Sequence, residues 1–368
     1  MSPAGPFSVA LGTGTHWGNA AKACLDGIAA AAPSANLGLL YATEDFAEHL
    51  PSILTFLRET TRIAHWVGAA VPGISAGGQE WRSAGGLAVM VGALPTDSFV
   101  PFAGGAALDS DQVAGCTALI HGDPQNPAMP MVFAALSGQA GRTVGGLVAA
   151  AAPPSQIADS VTAAPLSGLL LDPAVPVVTG LTQGCSPIGP EHVVTESWHG
   201  VVMHLDGRPA LDVLKEEAGE LFARDIRRAA GYIHIALPAP DGDGHSYQVR
   251  SLVDIDRRQG WLAVGERLVP GQRLMLVRRD ANGARADLER MLAGVKAQLA
   301  GRPPLAALYV TCVARGAHMF GEEGAESALV RDALDGAPLI GFFANGEIAQ
   351  GRLFAYSGVL AVIAGAEP

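Results

Sequence analysis

Two kinds of hydrophobic pattern alternate along the chain. Apolar positions three and four apart predict amphipathic helices in "AAKACLDGIAAAA" from Ala20, "LPSILTFLRETT" from Leu50, "ADLERMLAGVKAQLA" from Ala286 and "ESALVRDALDG" from Glu326. Short, almost continuously apolar runs bounded by Gly, Pro or polar residues predict strands buried on both faces. These are "LGLLYAT" from Leu37, "IAHWVGAAV" from Ile63, "LAVMVGAL" from Leu87 and "LAALYVTCV" from Leu305. Between them, "MPMVFAALSG", "TVGGLVAAAA", "LSGLLLD" and "VPVVTGLTQGCSPIG" read as further short buried strands. "HVVTESWHGVVMHLDGRP" alternates as a hairpin turning near Trp198-His199-Gly200. A helix begins around Pro209, with proline in its first turn, and "GYIHIALP" and "YQVRSLVDID" are strands joined by "APDGDGH". Asp241 and Asp243 in that loop start like a calcium loop, but the later carboxylates it needs do not follow.

The pattern repeats. Shifted by 273 residues, "GAAVPGISAGGQEWRSAGGLAVMVGA" from Gly68 lies over "GFFANGEIAQGRLFAYSGVLAVIAGA" from Gly341 with ten of 26 positions identical, five of them glycine. Each copy is preceded by helix, strand and helix, so both halves read helix–strand–helix–strand–Gly turn–strand, a duplication. This predicts an α/β (mixed α+β) fold with mixed sheets packed centrally and helices outside. The boundary falls in 205–232 and gives domains 1–205 and 206–368. Gly73 and Gly346, equivalent in the two copies, are expected where the backbone needs positive φ or close approach. The repeat also bears on Gly73-Ile74-Ser75-Ala76-Gly77, a G-x-S-x-G match. A nucleophile elbow needs a helix directly after the serine, yet a polar turn and another strand follow, and Ser75 falls on Ile348 in the second copy. Ser75 is therefore expected to be structural.

Composition narrows the function classes. With 49% hydrophobic and 16% charged residues and a net charge of -11, the chain reads as globular and offers no basic run for nucleic acid. Glycine and proline break every apolar stretch before the ~18–20 residues a membrane helix needs. The N-terminus lacks the basic and apolar regions of a signal peptide. Cys24, Cys116, Cys185 and Cys312 have no C-x-x-C spacing, so reduced core thiols and a cytoplasmic location are expected.

"ALYVTCVARG" followed by "PLIGFFANGEIA" resembles the C-terminal domain of FIST proteins, where Cys-x-x-Arg-Gly and G-F-F-x-N-G-E-I turns are typical. "QGCSPIGPEHVVTES" with "HLDGRPALDVL" is similar to the end of that family's N-terminal domain and its junction. "WVGAAVPGIS" matches the family's earlier turn only in part, with Ala69 in place of Cys and Ile74 in place of Glu. The resemblance implies a sensory, ligand-binding module of signal transduction, here a stand-alone pair of domains that would signal to a separate downstream protein. Some relatives bind haem and respond to nitric oxide. His204 is the first axial-ligand candidate for that alternative and His318 the second. The matched motifs give Cys312, Arg315, Gly341, Phe342, Asn345, Gly346 and Glu347 as ligand-binding residues. Cys312, Arg315, Asn345 and Glu347 are expected to converge at one rim of the sheet. There Arg315 would hold a carboxylate and Glu347 an ammonium, as in an amino-acid-like ligand. No acid–base constellation stands out, so the chain is expected not to be an enzyme. A hydrolase using Ser75 or a thiol enzyme using Cys312 are the weaker alternatives.

Overall fold

The computed structural model describes residues 6–104, 110–148, 155–224, 232–238 and 247–367. Along the chain one order of elements occurs three times. The first block runs β1 (Phe7–Thr13), α1 (Trp17–Ile28), β2 (Leu37–Thr43), α2 (Leu50–Thr61), β3 (His65–Val71), β4 (Ile74–Ala76), β5 (Gln79–Trp81) and β6 (Gly86–Gly92). The second is β7 (Phe99–Ala103), α3 (Ser110–Val113), β8 (Thr117–Gly122), α4 (Met129–Ser137), β9 (Arg142–Leu147), β10 (Gln156–Ala158), β11 (Ser160–Thr162) and β12 (Leu166–Leu171). The third opens with β13 (Val177–Gln183). It is then interrupted by β14 (Cys185–Trp198), β15 (Val201–Leu205), β16 (Arg208–Pro209), α5 (Ala210–Arg224), β17 (Ile233–Pro238), β18 (Tyr247–Asp256), β19 (Trp261–Val264) and β20 (Arg273–Arg279). It resumes with α6 (Ala281–Leu299), β21 (Pro304–Cys312), α7 (Ala317–Phe320), α8 (Ala325–Ala333), β22 (Leu339–Ala344), β23 (Glu347–Ala349), β24 (Arg352–Phe354) and β25 (Ser357–Ala364).

The chain divides into two compact units. Unit 1 holds residues 1–182, 288–353 and 357–368, and unit 2 holds 183–287 and 354–356. Unit 1 thus draws on both sides of residue 205. It contains three six-stranded mixed sheets, ordered β1-β6-β2-β3-β10-β11, β7-β12-β8-β9-β23-β24 and β13-β25-β21-β22-β4-β5. In each, the strands flanking a helix pair in parallel (β2 with β3, β8 with β9, β21 with β22). Each sheet is then completed by a hairpin from another block: β4–β5 joins the third block's sheet, β10–β11 the first's and β23–β24 the second's. The fold is mixed α+β with mixed sheets, as the alternation predicts, but with three equivalent sheets in this unit rather than two.

Local chemistry explains these elements. In α1, Ala20, Ala21, Cys24 and Ile28 form one buried stripe, and the His16 side chain caps the helix by accepting from Gly18 N–H. Helix α2 buries Leu50, Ile53, Leu54 and Leu57 and stops at Arg62, which is left-handed at φ 64°. Both helices pack on the outward residues of the first sheet, including Leu40, Ala42, Leu87 and Val89. Burial of each large side chain contributes roughly 1.5–3 kcal/mol relative to exposure. The alternate residues face inward. Leu37 and Leu39, Leu119 and Leu169, and Leu308 and Ile340, drawn from the three sheets, line one apolar cavity, so the inner faces meet in a common core. Close approach fixes one glycine per sheet. A Cβ on Gly68, Gly145 or Gly341 would fall 1.8, 1.9 or 2.1 Å from the carbonyl oxygen of Leu40, Ile120 or Tyr309.

One expectation is corrected, one divides between two glycines, and one falls outside the described residues. "MPMVFAALSG" is helix α4, not a strand. A short run apolar all round carries no period to separate the two, and Pro130 sits in the first helical turn, where its missing N–H costs nothing. Gly346 has φ 148°, but Gly73 takes an ordinary backbone conformation and is held instead by crowding, with a Cβ there 2.9 Å from Phe343 Cδ2. The turn "APDGDGH", with Asp241 and Asp243, lies outside the described residues.

Unit 2 is a barrel. Strands β14, β20, β17, β18, β19 and β15 pair in sequence, and β14 pairs again with β15 to close the ring. Leu211, Val213 and Leu214 of α5 join Val194, Ile235, Leu262 and Leu276 in its core. The expected hairpin turn at His199-Gly200 joins β14 to β15. Among the described residues no helix is long and apolar enough to cross a membrane.

Candidate functional site

Strand register defines one layer of the unit 1 core. Directly opposed residues on paired strands share a face. In the second block's sheet one row reads Glu347, Gly146, His121, Ser167. The corresponding row of the first sheet is Gln156, Ala69, Tyr41, Ala88, and that of the third is Ile74, Phe342, Val310, Val359. These rows meet. The ring of Tyr41 lies 4.8 Å from that of Phe342 and 5.4 Å from that of His121, and His121 lies 5.8 Å from Phe342. Tyr41 Oη and His121 Nε2 are 2.9 Å apart.

Polar atoms in this layer are under-satisfied. His121 Nδ1, Ser167 Oγ, Gln156 Oε1 and Glu347 Oε1 are buried, with no hydrogen-bond partner among the described residues. Each such group costs about 1–3 kcal/mol if left unmade. Gln156 spends its amide on the Ala164 carbonyl, 3.0 Å away. Glu347, 0% exposed, accepts at Oε2 from Ser357 N–H (3.1 Å) and Oγ–H (2.7 Å). Burial pushes its carboxyl up to about 8 against the opposing pull of the Ser357 donors, the Arg315 charge and the Cys312 thiol. A thiol is a weak donor, so that contact does not satisfy the carboxyl. Burial also pulls His121 down to about 3. Near neutral pH the layer is therefore uncharged, with a neutral imidazole, an amide, a hydroxyl and a carboxylic acid.

A second buried network lies behind Glu347. Arg315, 1% exposed, donates from Nε and Nη2 to Glu326 Oε1 at 2.8 and 2.5 Å. Tyr309 Oη donates to the same oxygen at 2.6 Å, and Thr311 Oγ1 lies 3.3 Å from Oε2. Arg82, directly after the exchanged β4–β5 hairpin, donates to the Arg315 carbonyl at 2.9 Å. Glu80 of that hairpin accepts from Ser327 Oγ at 2.7 Å and so holds the first turn of α8.

The motif residues are thus partly assembled and largely enclosed. Cys312, Arg315 and Glu347 do cluster, but they are buried rather than set at a solvent rim, and Asn345 is exposed on the β22–β23 turn. The clamp expected from Arg315 is corrected: its guanidinium holds Glu326, which arrives 11 residues later on α8. Phe342 is the apolar wall of the layer. Gly341 lies opposite Ser75, and Gly346 shapes the turn before Glu347. Ser75 itself is 3% exposed in β4, followed by the tight Gly77-Gly78 turn and β5 instead of a helix. His204 Nδ1 lies 2.7 Å from Glu196 Oε2, between Glu196 and Pro209 in the sheet, and His318 is exposed on four-residue α7. Tyr41, His121, Gln156, Ser167 and Glu326 were not legible as site residues. Only a search for a third copy, aligned through Gly145, would have paired His121 with Tyr41.

The model of the FIST N domain matches residues 36–208 and that of the FIST C domain residues 210–350. An uncharacterized protein of Mycobacterium tuberculosis is 29% identical over 336 residues, covering 85% of this chain and 86% of that protein. An uncharacterized protein of Mycobacterium bovis is 35% identical over 183 residues, 47% of this chain and 45% of its own length. The two domain matches together span most of the chain, which belongs to the FIST family of sensory signal-transduction domains.

Proposed function

We propose that the protein is a non-enzymatic, cytoplasmic sensor that binds a small polar ligand in the core layer of unit 1 and signals to a separate partner. The observation that carries this reading is the set of four buried polar atoms, without a hydrogen-bond partner among the described residues, on facing rows of two sheets. Their lining is neutral, and Arg315, which an amino-acid-like zwitterion would need, is committed to Glu326. The ligand proposed here is accordingly uncharged, with donors and acceptors for His121, Gln156, Ser167 and Glu347. The β4–β5 and β23–β24 hairpins tie this layer to neighbouring blocks, so a ligand that tightens it acts on more than one sheet. A thermal-shift screen of small polar compounds tests the proposal, since a ligand at 100 times its dissociation constant adds about 2.7 kcal/mol. Ser167→Ala and Gln156→Leu should each weaken a hit about 2- to 10-fold, one ordinary hydrogen bond. Hits confined to charged compounds, or affinities indifferent to both changes, sink it.

A further inference from the structure

The "GCSPIGPEH" stretch, which resembles the family's junction, builds a separate cavity within unit 2. The pairing of β14 with β20 loses register between Pro187 and Glu191. At that bulge a Cβ on Gly189 would fall 2.0 Å from the Glu217 carboxyl carbon, so the glycine makes the space that the carboxyl occupies. Glu217 Oε1 lies 2.6 Å from His192 Nε2, and His192 Nδ1 lies 2.6 Å from Asp206 Oδ2. The other oxygen, Oε2, is buried without a partner among the described residues, on a side chain only 10% exposed. A cavity of about 250 Å³ opens beside it, lined by Pro187, Ile188, Glu217, Ala218, Ile233 and Arg278. Arg278 is half-exposed on β20, and its contact with Asp280 is long at 4.0 Å. The cavity lining therefore combines an acidic side chain, a basic side chain and apolar ones.

We propose that this cavity binds a compact molecule with a primary ammonium at one end and an anionic group, carboxylate or phosphate, at the other. The ammonium would bond Glu217 Oε2 and the anion the Arg278 fork. A simple amine would face the Arg278 charge, and a simple anion would leave Glu217 Oε2 without a donor, so both ends are needed. The proposal does not depend on the core layer of unit 1.

Calorimetric titration of the full chain tests it with free glycine and 2-aminoethyl phosphate, using ethylammonium and acetate as single-charge controls. One doubly charged probe should bind, at least about 10-fold tighter than either control, and which one binds tells carboxylate from phosphate. Arg278→Gln, at a half-exposed position that leaves the fold intact, should weaken that probe about 10- to 150-fold. Glu217→Gln should do the same, with a thermal melt to show that its His192 contact is not needed for folding. Ser167→Ala should leave this binding unchanged whether or not the unit 1 layer holds a ligand. The proposal is overturned if neither doubly charged probe binds up to about 10 mM, or if Arg278→Gln leaves the affinity unaltered.

Discussion

Replacing Glu347 by glutamine should change how stability depends on pH. The folded carboxyl is pushed up to about 8, chiefly by burial, whereas in the unfolded chain it titrates in the ordinary carboxylate range. Between those values the folded protein keeps a proton that the unfolded chain has lost. Stability therefore falls as pH rises, the reverse of a salt-bridged carboxylate, by about 1.4 kcal/mol per pH unit. Other groups shape the total curve. His121 and His234 are pulled down to about 3 and about 4 by burial, so they add stability as pH rises toward the usual histidine range and are constant above it. Burial opposes a charge on His192, but Asp206 and Glu217 outweigh it and raise its pKa; its contribution is lost as pH climbs through the folded value. All three are common to both proteins, so the difference between wild type and Glu347→Gln isolates one carboxyl. Glutamine keeps an acceptor for Ser357 and has nearly the same shape. At about pH 5.5 the two proteins should differ by no more than about 1–2 kcal/mol. By about pH 7.5 the variant should have gained roughly 3 kcal/mol on wild type, on the order of a hundredfold in the folding constant. Urea melts across this range measure it, and parallel curves would refute a protonated Glu347.

The turn glycines should separate by mechanism. Gly346→Ala places a side chain at φ 148°, 2.9 Å from Leu147 Cδ1, and should cost more than about 1 kcal/mol, while Gly73→Ala, at ordinary φ, should cost less because the Phe343 ring can yield; chemical melts of both decide it. Glu326→Gln leaves the Arg315 charge buried against a neutral amide and should destabilise by about 3–5 kcal/mol, and a loss under about 1 kcal/mol in the same assay would show that Arg315 finds another counter-charge.

Much of the fold was legible because it rests on local pattern. The periods of α1, α2, α6 and α8 and the uninterrupted apolar runs of β2, β3, β6 and β21 mark elements whose burial the neighbouring sequence dictates. The second block was not, since its likeness to the others survives mainly in spacing and in Gly145, and α4 carries no apolar period. At the site, the motif residues Cys312, Arg315 and Glu347 were found, but their surroundings were not. Glu326 lies within a helix whose pattern shows only that one face is inward, and the row of His121 and Ser167 reaches Glu347 only through the pairing of Gly146 with Glu347, 201 residues apart in sequence. Spacing rules describe neighbours along the chain, and register across an exchanged hairpin is not among them.

That exchange also constrains how the chain can be assembled and cut. No block completes its own sheet: β22 waits at residues 339–344 for a hairpin made at residues 74–81, while the first block's sheet is completed as soon as the second block's hairpin is available. Closure is thus the late, high-contact-order step, and a chain stopped before β22 would leave the β4–β5 hairpin with unpaired edges open to another molecule. The same head-to-tail donation, carried by separate single-block polypeptides, closes only as a ring of three. One covalent chain running through all three positions fixes that stoichiometry and lets each position diverge, so that a tyrosine, a histidine and a valine stand at equivalent points around one core.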